Sequence, residues 1–155
     1  MIRLAENNDI DDVLRLLVQV NDVHATGRPD LFVKGHTKYS AMELKQIFAD
    51  ASTPVFVDVD EKGHVLGYCF CVIHDNTQSL HLQRIKTLYI DDLCVDENAR
   101  GKGVGKRLYE YIVEYARQQG CHNLTLNVWE CNRNALGFYR RMGLNTQKTY
   151  LETIL

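Results

Sequence analysis

The stretch running from Asp92 to Leu108 constrains this chain more than any other. A strand-like run with two acidic residues, Tyr89-Ile90-Asp91-Asp92-Leu93-Cys94-Val95, leads into a loop holding Gly101, Gly103 and Gly105 among Arg100, Lys102, Lys106 and Arg107. An amphipathic pattern follows at once. That order sets backbone N–H groups without intrahelical acceptors beside the positive end of a helix dipole. Such a junction favours an anion, and a phosphate fits it well.

The glycine spacing excludes two common phosphate binders. A P-loop needs Gly-x-x-x-x-Gly-Lys and then Ser or Thr for magnesium. Lys106 follows Gly105 here, but Arg100 takes the place of the first glycine and Arg107 that of the hydroxyl. A dinucleotide fingerprint begins correctly at Gly101 and Gly103, yet its third glycine arrives one residue early, and the loop from Val95 to Gly101 is too long for that turn. What remains is Arg100-x-x-Gly103-x-Gly105.

The rest of the chain supplies the partners of this junction. Ile2 to Ala5 reads as a strand, and Asn8 or Asp9 caps a helix with Ile10, Val13, Leu14, Leu17 and Val20 on one face. The polar segment from His24 to Lys38 breaks that helix. Ser40 and Glu43 form a capping-box pattern before Leu44, Ile47 and Phe48. Val55 to Val59 and Val65 to His74 flank the turn at residues 60–63 as an antiparallel hairpin. Leu80 to Val95 is strand-like with a break near Arg84 to Lys86. From Val104, a helix carries Leu108, Tyr111, Ile112 and Tyr115 on one face and ends at Gly120. Leu124, Leu126 and Val128 alternate as a strand. Asn132 caps a last helix bearing Ala135, Phe138, Tyr139 and Met142, ended by Gly143, and Thr149 to Leu155 reads as a closing strand. These elements make one α/β or α+β domain with a mixed sheet, spanning residues 1–155.

Composition narrows the partners. A net charge of −2 gives no overall attraction for nucleic acid or an anionic membrane; the cations cluster locally around the loop. No apolar run approaches the ~20 residues of a membrane span, and no signal peptide opens the chain. The odd count of five cysteines, without a C-x-x-C, fits reduced thiols packed as small apolar residues in a cytoplasmic protein. Cys69 and Cys71 face the same side of one strand, too close along it for an easy disulfide. The six histidines show no metal-ligand spacing, so no metal is expected.

The acidic strand, Arg100-x-x-Gly103-x-Gly105 and Asn132-x-x-Ala135-x-x-Phe138-Tyr139-x-x-x-Gly143 together resemble the GCN5-related N-acetyltransferases, abbreviated GNAT. The resemblance follows the element order of the whole chain and is most specific from Tyr89 to Leu144. It implies a single-domain fold with a central mixed, mostly antiparallel sheet, a splayed parallel strand pair and about four flanking helices. It further implies acetyl transfer from acetyl-CoA to a primary amine by direct attack. Family members are often dimers, and the sequence itself displays no interface.

Residue by residue, the resemblance places the CoA pyrophosphate on Arg100, Gly101, Lys102, Gly103, Val104, Gly105 and Lys106. Lys102, Lys106 and Arg107 add positive potential. The pantetheine arm would meet main-chain groups of Leu93, Cys94 and Val95, as an added strand does. Cys94 is expected to pack rather than attack, since a nucleophilic thiol needs a depressed pKa. The acceptor amine must lose a proton, and Asp91 and Asp92 are the candidate bases. Alternation along a strand points at most one of them to the acceptor cleft. Tyr139 is the candidate general acid and a CoA contact, and Asn132 a cap and a CoA contact. His24, Arg28, Asp30 and Tyr39 lie in or beside the connection that lines the acceptor site in this family. The acidic pair leans toward a cationic acceptor of the polyamine kind, without excluding aminoglycosides, amino acids or protein amines. The alternatives are a non-catalytic acyl-CoA-binding or sensor module and, with only two glycines in its favour, a nicotinamide-dependent oxidoreductase.

Overall fold

The computed structural model describes residues 1–155. Five strands form one sheet in chain order: β1 (Ile2–Leu4), β2 (Val55–Val59), β3 (Val65–Asp75), β4 (Lys86–Val95) and β5 (Asn123–Leu126). The first four pair antiparallel, and β5 runs parallel to β4. The helices are α1 (Ile10–Gly27), α2 (Ala41–Ala49), α3 (Val104–Gln118) and α4 (Arg133–Arg141). No helix is long and apolar enough to cross a membrane.

Each face of the sheet is covered by helices whose apolar residues recur at helical spacing. Ile10, Val13, Leu16 and Leu17 of α1 and Leu44 of α2 pack on Val55, Val57, Val59, Val65, Tyr68 and Phe70. On the other face, Ile112 and Ala116 of α3 meet Phe56, Cys69, Cys71, Leu88 and Ile90. The expected Ser40–Glu43 box caps α2: the Glu43 carboxylate accepts from Ser40 N–H at 2.7 Å and the Ser40 hydroxyl from Glu43 N–H at 3.2 Å. Cys69 and Cys71 do share a face, with their Sγ atoms 3.7 Å apart.

Three local expectations need correction. Helix α1 continues through His24 to Gly27, because Ala25 still finds the core there. Residues 80–85 are not strand; Leu80 is wholly exposed and pairing begins at Lys86. Thr149 to Leu155 is not strand either. Its apolar residues come as the adjacent pairs Tyr150-Leu151 and Ile154-Leu155, which define no single buried face, and all four are exposed. A bidentate contact between Arg28 and Glu152, at 2.5 and 3.3 Å, ties this segment to the end of α1.

One irregularity in β4 positions the site. Phe70 pairs with Asp92 and Cys71 with Ile90, so Asp91 is a bulge with no partner on β3. A bulge bends its strand and resets which way side chains point. Before it, Leu88 and Ile90 face α3; after it, Cys94 faces α1. The parallel ladder with β5 stops at the same place, at Ile90 opposite Leu126. Beyond it, from Asp91 to Val95, β4 is paired with β3 alone and its β5-side edge is open.

Candidate active site

The open edge leads to the glycine-rich loop. Gly103 caps α3 with a left-handed φ of 76°, a conformation that costs a residue with a Cβ about 1–2 kcal/mol. A Cβ on Gly105 would lie 3.4 Å from Val95 and 3.5 Å from Phe138, ordinary contact distances, so the glycine leaves this floor bare without being sterically required. The backbone N–H groups from Gly101 to Lys106 donate to no protein acceptor. Such unpaired donors at the start of a helix can receive an anion. Arg100 beside them is exposed and makes no ion pair.

The other loop cations are partly spoken for. Arg107 belongs to the fold: its guanidinium meets the buried Asp58 at 2.7 and 3.1 Å, where the N-terminal ammonium also binds at 3.0 Å. The same guanidinium donates to the Lys102 carbonyl at 2.9 Å, so Arg107 ties the loop to the buried Asp58. Lys102 donates to the Asn98 carbonyl at 3.0 Å, and Lys106 reaches Glu110 at 3.7 Å on the exposed helix face.

The bulge overturns the expected alternation of Asp91 and Asp92. Both carboxylates turn to partners on the α1–α2 side. Asp91 meets the Lys38 ammonium at 2.5 Å and the Tyr39 hydroxyl at 3.4 Å. Asp92 accepts from the Tyr68 hydroxyl at 2.8 Å. Tyr39 and Tyr68 both pack on Phe70, at ring separations of 5.7 and 5.0 Å, which brings the two carboxylates into one aromatic-walled corner. Burial pushes the Asp92 carboxyl up to about 6, even though Tyr68 and the more distant Lys38 favour its ionised form. Burial opposes the Lys38 ammonium, but the Asp91 contact prevails and raises its pKa.

Tyr139 lies buried on α4. Burial, reinforced by nearby Cys69, Asp92 and Cys94, raises its phenol above the ordinary value, and no protein group binds its hydroxyl. The phenol is therefore protonated at neutral pH and its oxygen is free of protein partners. Asn132 accepts from Ala135 N–H at 3.2 Å, which gives it the capping role. Cys94 is buried, donates to the Leu16 carbonyl at 3.5 Å and is pushed up by burial to about 12, the opposite of an activated nucleophile.

Of the four acceptor-side residues expected from sequence, only Tyr39 contacts the acidic pair; His24, Arg28 and Asp30 find other partners. Tyr39 touches Asp91. His24 packs on Phe32 and Trp129 at 5.1 and 6.3 Å, and burial followed by Lys38 lowers its pKa. Arg28 and Asp30 pair with each other at 2.7 Å; Arg28 also lines a cavity of about 380 Å³ with Trp129, Glu130, Cys131, Arg133 and Glu152. Sequence reading missed Lys38, Tyr68 and Trp129. Lys38 and Tyr68 act through long-range contacts that leave no spacing signature, and Trp129 stands out only as the lone tryptophan.

Residues 19–144 match the acetyltransferase (GNAT) family. The chain belongs to that family, whose members move the acetyl group of acetyl-CoA to an acceptor amine. Its structure superposes on a point mutant of the BH1408 protein from Bacillus halodurans with a TM-score of 0.94 and 31% identity, covering 100% of this chain and 99% of that one. Among curated relatives, a rice glucosamine 6-phosphate N-acetyltransferase is 38% identical over 55 residues, 36% of this chain and 32% of its own length. A bovine thialysine N-epsilon-acetyltransferase is 24% identical over 153 residues, 92% of this chain and 82% of its own length. The chain thus matches about a third of the rice enzyme and most of the bovine one.

Proposed function

We propose that this GNAT protein transfers an acetyl group from acetyl-CoA to a primary amine of a small molecule or peptide by direct attack. The observation that carries the reading is the open edge of β4 past Ile90 and Leu126, leading to the free N–H groups of Gly101 to Lys106. That edge and loop supply together the open strand and the anion seat that acetyl-CoA requires. Leu93, Cys94 and Val95 offer main-chain groups along the arm; Arg100 and the loop N–H groups hold the pyrophosphate.

The chemistry falls to three side chains. Asp91 receives the acceptor ammonium and removes its proton, because it already binds an ammonium and is reachable from solvent. Asp92, with a carboxyl near 6, is ionised at neutral pH and is the alternative base, acting directly or through water. Tyr139 gives its proton to the departing sulfur. Asn132 orders the first turn of α4 beneath that phenol and adds a CoA contact.

The acceptor corner does not favour a polyamine as the bare sequence did. Asp91 is neutralised by Lys38 and Asp92 is tied to Tyr68, so the pair presents little free negative charge. The cavity lined by Arg28 and Trp129, with His24 packed on that tryptophan, supports a smaller acceptor carrying both polar and flat apolar surface. Five free cysteines support a reducing, cytoplasmic setting. The outer edge of β5 and the exposed Tyr150, Leu151, Ile154 and Leu155 support a homodimer, which light scattering on the purified chain would test.

Release of CoA thiol, followed across a panel of primary amines, tests the reading. Amine-dependent release that disappears without acetyl-CoA supports it. Binding of acetyl-CoA with no release for any amine would favour the sensor module instead.

A further inference from the structure

We propose that Lys38 is an internal acetyl acceptor: the protein acetylates its own Lys38 in the site described above. The proposal rests on the acetyl-transfer reading and assigns that site a substrate within the chain. An acceptor amine must stand where the base can take its proton, and the Lys38 Nζ stands there, 2.5 Å from Asp91 Oδ2. Tyr39 reaches the same carboxylate at 3.4 Å and its ring lies 5.3 Å from the ammonium, so Lys38 stands at the open edge of the acceptor corner.

The segment carrying it permits the reaction. Lys38 lies between α1 and α2 in a stretch with neither helix nor strand, and residues 34–39 take part in no backbone–backbone hydrogen bond. Its side chain is half exposed, so the amine can leave the carboxylate without unpacking the core. The remaining lysines lack this placement: Lys86 meets the Gln119 carbonyl, Lys102 the Asn98 carbonyl and Lys106 Glu110, and Lys34, Lys45, Lys62 and Lys148 make no side-chain contact to a carboxylate.

The step balances simply. Asp91 takes one proton from the Lys38 ammonium, and the nitrogen lone pair attacks the thioester carbonyl carbon. The C–N bond forms as the C–S bond breaks, and the sulfur leaves as CoA thiol with a proton from Tyr139. Asp91 passes the first proton to water and then takes the second from the acylated nitrogen, while Tyr139 regains its proton from water; the net change is ammonium plus acetyl-CoA to acetamide, CoA thiol and one released proton. Acetyl-Lys38 has no charge, so the ion pair on Asp91 is lost.

The test is peptide mass spectrometry of the full chain incubated with isotope-labelled acetyl-CoA and no added amine. Lys38 should label at least about tenfold faster than any other lysine, as an oriented intramolecular amine does. Its rate per molecule should not change on diluting the protein, and Tyr139→Phe should slow labelling at Lys38 while leaving the slow background at the other lysines. Labelling of Lys38 no faster than its neighbours, in protein that still acetylates an external amine, overturns the proposal alone. Failure to bind acetyl-CoA at all overturns it together with the functional reading.

Discussion

The Tyr68 hydroxyl donates to the Asp92 carboxylate at 2.8 Å, and the two meet because the bulge at Asp91 turns the end of β4 toward α1. The bond does not offset burial, and the carboxyl rises from 3.8 to about 6. A folded-state value above the unfolded one favours the protonated form, so Asp92 lends stability at low pH that is lost as pH climbs from about 4 to 6. Asp92→Asn should remove that loss and raise stability above pH 6 by on the order of 2 kcal/mol. Urea denaturation at pH 4, 6 and 8 checks this. If Asp92 is the base, the wild-type kcat/KM should also rise with pH through an inflection near 6, and the variant should lose that inflection.

Tyr139→Phe should lower kcat by about a hundredfold, within the usual range for losing a general acid. The hydroxyl has no protein partner, so the unfolding midpoint should scarcely move and acetyl-CoA should bind as before. Steady-state rates alongside acetyl-CoA titration separate the two effects. Turnover at the wild-type rate would remove the phenol from the mechanism.

Gly103→Ala should weaken acetyl-CoA binding and cost about 1 kcal/mol of stability, because φ at this position is 76°. A matched substitution at Gly35, also left-handed with φ 78° but away from the loop, should cost stability alone. Calorimetric titration of both variants distinguishes strain from lost binding.

Arg107→Ala should destabilise the protein by about 3 kcal/mol, since it strips a partner from the buried Asp58. The N-terminal ammonium remains to hold that carboxylate and should soften the loss. Chemical denaturation measures the stability change. An equal and separate fall in acetyl-CoA affinity at full folding would instead return Arg107 to the phosphate seat.

These residues also show what the sequence could reveal. The glycine turn at the start of α3, the Asn132 cap and the helix carrying Tyr139 were readable because they depend on neighbours close along the chain. The mixed sheet was readable from runs of alternating and helical apolar spacing. The bulge at Asp91 was not, because nothing local distinguishes it from regular strand, and the face of every later side chain depends on it. Lys38 meets Asp91 across 53 positions and Tyr68 meets Asp92 across 24, contacts that only the assembled sheet creates. Arg107 looked like part of a basic loop until its buried partner, Asp58, was placed beneath it.

Backbone amide exchange with and without acetyl-CoA tests the central claim most directly, that the opening past Ile90 and Leu126 and the loop behind it seat the donor. Slowed exchange at residues 101–106 and at the open-edge amides of residues 91–95 is the predicted result. Protection confined to other parts of the chain, or none at saturating acetyl-CoA, would contradict it.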